Sequence, residues 1–249
     1  MNFFADAFAY ILDPAHWAGD PGIAQRIADH LLYTGLSVGI AILIAVPLGL
    51  LIGHTGRGRS FVIGLTSAAR ALPTFGFLLF IVLLAGLGLA PLIAVLVVLA
   101  VPPLLAGVYA GIEAVDRQPV DAARALGMSE WQILGRVEIP LGLPLMLGGL
   151  RSATLQVIAT ATVAGYVAQG GLGRYLIEGL ARRDYTLAVV GAVLVAALAL
   201  AIDGLLAVAQ KLVQPRGVSR GRARPASTRE RRSSRVPAII RTPTTEGNL

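Results

Sequence analysis

Five long apolar segments alternate with short polar stretches along the chain. They lie at about residues 31–53, 61–87, 91–112, 141–167 and 186–213. Each is long enough to cross a hydrocarbon core of roughly 30 Å as a helix. The pattern therefore predicts an all-α integral membrane protein with five transmembrane helices, the second of which is interrupted near Pro73.

The segments that flank these helices differ in character. Residues 1–28 are aromatic and amphipathic, with Asp6 and Asp13 where a signal peptide would be basic, and they predict a short extracytoplasmic helix at the membrane interface. Residues 29–214 form the predicted membrane domain. Residues 215–249 are rich in arginine and lack periodic apolar positions, so we expect a disordered basic tail in the cytoplasm.

Composition strengthens the membrane assignment and narrows the chemistry. Hydrophobic residues make up 55% of the chain and charged residues 14%, against about 25% charged residues in soluble domains. The net charge of +7 arises in the tail, which holds nine arginines and two glutamates, so it does not indicate a nucleic-acid-binding domain. With no cysteine and three scattered histidines, the sequence predicts no metal site.

The longest polar interval between two apolar segments runs over residues 118–140 and predicts two short helices with a break between them. Pro119 suits the first position of the first helix, because that position needs no N–H donor, and Asp121 would then lie in the first turn. Gly127 can adopt the left-handed conformation that ends a helix.

A capping box formed by Ser129 and Gln132 would start the second short helix of this interval. Each of the two helices is predicted to have one apolar face. The residues on these faces are Val120, Ala123 and Leu126 in the first helix, and Trp131, Leu134 and Val137 in the second.

Five spans place the two termini on opposite sides of the membrane. Basic residues in short loops favour the cytoplasmic side. They are concentrated after the first span, in the 118–140 loop and beyond the fifth span. This distribution predicts an extracytoplasmic N-terminus, with the C-terminus and the 118–140 loop in the cytoplasm.

Two polar stretches inside the spans are candidates for a transport pathway. Prolines occur in four of the five spans and are expected to interrupt them (Pro47, Pro73, Pro102, Pro103 and Pro144), and broken helices commonly line transport pathways. The candidate pathway or gate residues are Pro73, Thr74 and Phe75 in one stretch, and Thr154, Gln156, Thr160 and Thr162 in the other. The alternative is that these polar groups bond to neighbouring helices or to their own backbone.

Three charged residues lie well inside the spans, namely Arg70, Arg151 and Asp203. An unpaired charge at that depth costs at least about 2.5–3.5 kcal/mol, so each is expected to find a partner. We predict that Asp203 pairs with Arg70 or Arg151, either to hold helices together or to take part in gating.

The sequence contains no G-x-x-x-x-G-K-[ST] phosphate-binding loop and suggests no nucleophile or general base. We therefore expect a chain that is not itself an enzyme. If transport by this chain uses ATP, the nucleotide must bind to another polypeptide.

The pattern D-A-A-x-x-x-G at residues 121–127, followed after nine residues by V-x-I-P at 137–140, resembles the "EAA" loop of permease subunits in ATP-binding-cassette (ABC) importers. Asp121 stands where that family usually has glutamate, a shorter carboxylate. The resemblance implies a MetI-like ABC permease fold and a cytoplasmic helix that seats in a groove of the ATPase subunit. It assigns ATPase coupling to Asp121, Ala122, Ala123, Gly127, Met128, Trp131 and Pro140.

Several stretches, at residues 71–78, 101–112, 114–128, 156–167 and 170–174, look like the osmoprotectant branch of these permeases. This resemblance implies import of glycine betaine, carnitine, choline or a related quaternary amine across the cytoplasmic (inner) membrane. The implied partners are a cytoplasmic ATPase dimer that binds ATP and Mg, a second copy or a paralogous permease, and an extracytoplasmic solute-binding protein. No cofactor is expected on this chain.

Three other functions stay open at the level of sequence. A related importer for another small polar solute such as methionine has the same architecture. An ion-coupled secondary carrier or channel would ordinarily need acidic residues at mid-membrane, where the sequence offers only Asp203. A structural membrane scaffold would leave the prolines inside the spans unexplained.

Overall fold

The computed structural model describes residues 2–167 and 170–213, apart from the side chains of Arg70 and Ala164, and this part of the chain is helical without a β-strand. The helices are α1 (Phe3–Leu12), α2 (Ile23–Thr55), α3 (Arg59–Ala71), α4 (Thr74–Ala85), α5 (Leu89–Glu113), α6 (Arg117–Ala125), α7 (Glu130–Ile133), α8 (Ile139–Ala161), α9 (Ala164–Val167), α10 (Gly173–Arg182) and α11 (Tyr185–Val213). A 3-10 turn at Pro14–His16 follows α1, and a π-helical segment at Leu134–Glu138 joins α7 to α8. The predicted tail at 215–249 lies outside the described residues.

Four of the predicted spans correspond to long apolar helices, namely α2, α5, α8 with its flanking turns, and α11. The remaining span is split into α3 and α4, whose axes differ by 89°. Leu72 is extended there, with φ −72° and ψ 124°, because a residue before proline is pushed out of the helical region. The all-α fold is thus confirmed, with a fifth apolar segment that is sharply bent.

The other prolines inside the spans do not interrupt helices, contrary to the sequence-based expectation. Pro47 lies within α2, Pro102 and Pro103 within α5, and Pro144 within α8. Membrane helices tolerate proline where neighbouring groups or small backbone adjustments satisfy the freed carbonyl. Only Pro73, which follows an extended residue, marks a break in the described part of the chain.

Helix α5 forms the centre of the main core and packs between α2 and α8. The closest approach of α5 and α8 is at Gly107 and Gly149, where a Cβ built on Gly107 would lie 2.4 Å from the Gly149 Cα. On the other side, Gly49 and Gly53 of α2 receive the side chains of Val108 and Ile112. Small residues therefore set the spacing of the three central helices.

A second core joins the N-terminal helix to the C-terminal part of the described chain. It contains Ala7 of α1, Ile23 of α2 and Val190 of α11, all fully buried. Phe3 and Tyr185 pack edge to face with ring centroids 5.7 Å apart. Helix α2 begins at Ile23, earlier than the predicted span, so its first two turns lie in this second core.

Candidate coupling elbow and transport pathway

Residues 117–138, which we call the elbow, form a helix, a turn and a second short helix between α5 and α8. Helix α6 is capped by Asp116, whose side chain accepts a hydrogen bond from the Gln118 N–H at 3.0 Å. Two predicted positions were therefore wrong: Pro119 is the third helical residue rather than the first, and Asp121 lies beyond the first turn. The reason is that an aspartate is a strong N-cap and fixes the start two residues earlier.

The break in the elbow is the one that the sequence predicts. Gly127 has φ +82°, in the left-handed region, and directly follows Leu126, the C-cap of α6. The Ser129 N–H donates to Gln132 Oε1 at 2.9 Å, and the reciprocal bond of the capping box is also present. Both features depend on a few adjacent residues, and both are confirmed.

The apolar side chains of the elbow divide into a buried set and an exposed set. Val120, Ala123 and Ile133 are buried in a small core of their own. Leu126 and Trp131, which lie on the predicted apolar faces, are instead 84% and 79% exposed. In the second piece, Leu134 of the predicted face is buried together with Ile133, because the single α-helical turn passes directly into a π-helical turn.

The elbow thus presents apolar groups beside its charged residues on an open surface. Asp121 and Ala122 are exposed, Met128 and Pro140 are half-buried, and Trp131 projects from α7. A large exposed aromatic group rimmed by charges is typical of a protein-binding surface.

Charged contacts connect the elbow to the end of α2. His54 Nδ1 lies 2.5 Å from Glu138 Oε2, and His54 Nε2 lies 3.3 Å from Glu130 Oε2. Arg124 donates to both oxygens of Glu130 at 2.9 Å, and these bonds raise the pKa of Arg124. The three elbow residues and His54 therefore form one network, which sequence analysis missed because 84 positions separate His54 from Glu138.

The two predicted pathway stretches meet in a cavity of about 320 Å³. Thr74 at the start of α4 and Gln156 of α8 both line it. The bend between α3 and α4 brings Thr74 there, beside Pro102 and Pro103 of α5. Pro73 caps α4, and Phe75 packs edge to face against Tyr166 with centroids 5.1 Å apart.

The three threonines of the second stretch bond to their own helix. Thr154 donates to the Leu150 carbonyl at 2.9 Å, Thr160 to that of Gln156 at 2.7 Å, and Thr162 to that of Ala159 at 2.7 Å. This is the backbone role that was the alternative to a substrate contact. Gln156 is the residue of that stretch whose exposed side chain lines the cavity.

The intramembrane charges Arg151 and Asp203 form a two-pronged ion pair between α8 and α11. Arg151 Nε bonds to Asp203 Oδ1, and Arg151 Nη2 bonds to Asp203 Oδ2. The side chain of Arg70, the other predicted partner, lies outside what the structure describes. The pair joins two helices that are far apart in the sequence.

A sequence model of the family described as "Binding-protein-dependent transport system inner membrane component" matches residues 45–216. The chain belongs to this family. It is a multi-pass membrane protein, and the family implies ATPase and substrate-binding partners and a transport role without catalysis by the permease itself.

The curated relatives are similar over most of their length. The chain is 35% identical over 196 residues to the glycine betaine/carnitine/choline permease protein OpuCB of Bacillus subtilis, covering 79% of this chain and 90% of that protein. It is 33% identical over 198 residues to the choline permease protein OpuBB of the same organism, covering 80% and 91%. It is 31% identical to the osmoprotectant import permease protein OsmW of Salmonella typhimurium, covering 86% and 99%.

The solved structures confirm the predicted fold. An inward-facing form of the MetNI methionine ABC transporter superposes with a TM-score of 0.68 and 22% identity, covering 78% of this chain and 96% of that chain. At this identity the match shows the fold alone. That fold is the MetI-like permease fold expected from the sequence.

Proposed function

We propose that this chain is the permease subunit of an ATP-driven importer that moves a compatible solute with a quaternary ammonium group into the cell. The observation that carries the proposal is the 31–35% identity, over most of both chains, to permeases named for glycine betaine, carnitine, choline or osmoprotectant import. Glycine betaine, carnitine and choline are thus the candidate solutes.

Energy would reach the chain through the elbow. Trp131, Leu126 and Ala122 are exposed and offer an apolar contact to a groove of a cytoplasmic ATPase, with Asp121 at its edge. Ala123 is buried in the elbow's core and Gly127 forms its turn, so these two would hold the shape of the elbow rather than touch the ATPase. Met128 and Pro140 would support the same surface from half-buried positions.

The arrangement in the membrane follows from this assignment. The elbow faces the cytoplasm, and an odd number of spans puts the N-terminus outside and the C-terminus inside. Two permeases, identical or paralogous, assemble with two ATPases that bind ATP and Mg and with an extracytoplasmic binding protein. Thr74 and Gln156, which share a cavity between helices, are the best-supported pathway residues.

The test is reconstitution of the chain with its ATPase and binding protein in vesicles. Uptake and ATP hydrolysis are measured with glycine betaine, choline and carnitine, and with methionine as the competing solute. We expect the quaternary amines to stimulate both activities. Stimulation by methionine alone, or uptake by the purified chain without nucleotide hydrolysis, would overturn the proposal.

A matched pair of tryptophan variants tests the elbow in the same assay. Trp131→Ala should reduce co-purification of the ATPase at least about tenfold, since buried interface aromatics often contribute 2 kcal/mol or more. Trp17→Ala, at the opposite end of the bundle and 40% exposed, should leave co-purification unchanged. Equal co-purification of the ATPase with the two variants would show that the elbow is not the docking surface.

A further inference from the structure

A second cavity, of about 540 Å³, opens at the end of the bundle opposite the elbow. Three parts of the chain converge there: the N-terminal part of α2, the connection from α4 to α5, and the region of α9 and α10. The volume lies in the range of about 300–1,000 Å³ that is usual for small-molecule sites. Its polar lining residues are Asp29, Tyr33, Tyr166 and Arg174.

One side of the cavity is suited to a cation that cannot donate hydrogen bonds. Asp29 Oδ1 accepts a hydrogen bond from Gln25 Nε2 at 3.0 Å, which orients the carboxylate. Tyr33, on the next turn of α2, and Tyr166 of α9 add two aromatic rings to the lining. Carboxylates and aromatic rings are the groups that attract quaternary ammonium ions in proteins.

The aromatic and acidic groups are held in place by their surroundings. Tyr166 is 55% exposed, and its ring packs edge to face on Phe75. A Cβ built on Gly170 would lie 2.5 Å from Asp29 Oδ2 and 2.6 Å from the Tyr33 hydroxyl. A larger residue at position 170 would therefore displace both polar groups, so the glycine allows them to keep their positions in the lining.

The lining also includes a cationic group. Arg174 donates from Nε to Glu178 Oε1 at 2.5 Å, one turn along α10, and its side chain is 40% exposed. In the described part of the chain its terminal N–H groups make no hydrogen bond. A guanidinium with free terminal donors is well suited to bind a carboxylate.

We propose that this cavity binds a small zwitterion, with its quaternary ammonium group beside Asp29, Tyr33 and Tyr166 and its carboxylate on Arg174. The inference rests on the proposed function and deepens it, because it gives the permease its own contact with the transported solute. Glycine betaine and carnitine carry both charges, whereas choline carries only the cation. The cavity therefore distinguishes the two kinds of solute through Arg174.

The experiment is equilibrium binding of radiolabelled solute to the permease–ATPase complex in phosphatidylglycerol nanodiscs, without the binding protein. Asp29→Asn and Tyr166→Leu should each weaken glycine betaine and choline binding by about fivefold or more. Arg174→Gln should weaken glycine betaine binding about tenfold and change choline binding less than about twofold. Arg182→Gln, an exposed arginine on the same helix, is the matched control and should match the wild type.

A second variant separates binding from folding. Arg174→Gln leaves Glu178 without its partner, so Arg174→Gln/Glu178→Gln is measured as well, with the thermal unfolding midpoint as a check on folding. The double variant should unfold as the wild type does and keep the selective loss of glycine betaine. Absence of solute binding by the wild type, or equal loss of glycine betaine and choline with Arg174→Gln, would overturn the proposal.

Two further measurements distinguish the possible reasons for a negative result in the binding assay. A choline lipid headgroup carries the same cation beside an anionic phosphate, so the assay is repeated with phosphatidylcholine in the nanodiscs; saturable binding of this lipid without any binding of glycine betaine would assign the cavity to lipid and overturn the solute site. Uptake by the complete importer is measured in parallel. If the wild type imports glycine betaine while the Arg174 and Arg182 variants have equal KM values, this site fails and the proposed function stands. If no quaternary amine is imported, the proposed function itself fails.

Discussion

His54 Nδ1 lies 2.5 Å from the carboxylate of Glu138, and this contact ties the last turn of α2 to the residue before α8. Glu138 is only 2% exposed, and this contact gives its buried carboxylate a hydrogen-bonding partner. The other ring nitrogen of His54 faces Glu130 at the start of α7. A movement of the elbow would therefore be transmitted directly to α2 as well as along the chain to α8.

The first prediction concerns this link. His54→Ala leaves the buried Glu138 carboxylate unpaired, and an unsatisfied buried polar group costs about 1–3 kcal/mol. We expect a lower thermal unfolding midpoint for the complex and weaker stimulation of ATP hydrolysis by solute. Light-scattering or fluorescence-detected unfolding measures the first effect, and a phosphate-release assay measures the second.

The control for that variant is His54→Ala/Glu138→Leu, in which no buried polar side chain is left unpaired at this position. This double variant should have a thermal unfolding midpoint close to that of the wild type. It should not regain the stimulation of ATP hydrolysis by solute, because the connection to α2 is still absent. If His54→Ala unfolds at the same temperature as the wild type, the contact between His54 and Glu138 does not stabilise the complex.

A second prediction follows from the backbone at Gly127. Its φ of +82° is unfavourable for most side chains, but apart from its two chain neighbours no described residue has an atom within 4 Å of the position of a Cβ. The cost of substitution is therefore conformational alone, roughly 1–2 kcal/mol for an ordinary residue and less for asparagine. Gly127→Val should reduce ATPase co-purification, and Gly127→Asn should retain most of it. The same loss for both variants would indicate a direct contact at this position instead of a backbone requirement.

The elbow shows which parts of the candidate site are predictable from sequence. The Gly127 turn and the Ser129–Gln132 capping box involve neighbouring residues, so their signal lies in a short window. The start of α6 was misplaced because Asp116 competes with Pro119 for the helix terminus. Preferences of single residues do not tell which of two neighbouring start signals will begin the helix.

Features that depend on tertiary packing could not be predicted in this way. The exposure of Trp131 depends on which residues of the second piece fill the small core, and Ile133 does so. The sharp angle after Leu72 places Thr74 beside α5. Apolar periodicity located the spans, but it carries no information about the angle between two helices or about contacts such as His54–Glu138.

A third prediction uses two adjacent glycines of α8. A Cβ on Gly149 would lie 2.6 Å from the Gly107 Cα, whereas a Cβ on Gly148 meets nothing within 4 Å. Gly149→Ala should therefore force α5 and α8 apart and destabilise the chain by about 1–3 kcal/mol. Gly148→Ala should be neutral or slightly stabilising, because alanine favours the helix. Thermal unfolding of the two variants compares them directly, and equal midpoints would contradict the close packing of these helices.

The fourth prediction concerns the ion pair between Arg151 and Asp203, which holds α11 against α8. Asp203→Asn leaves Arg151 without its counter-charge inside the membrane, where an unpaired charge costs at least about 2.5–3.5 kcal/mol. We expect lower yield of assembled complex and a lower unfolding midpoint.

The exchange Arg151→Asp/Asp203→Arg restores opposite charges across the same two helices, so it should recover assembly relative to either single change. If the exchange recovers assembly but not solute uptake, the pair also acts in gating; if it recovers both, its role is to hold the helices together. Unchanged assembly and uptake in Asp203→Asn would exclude both roles.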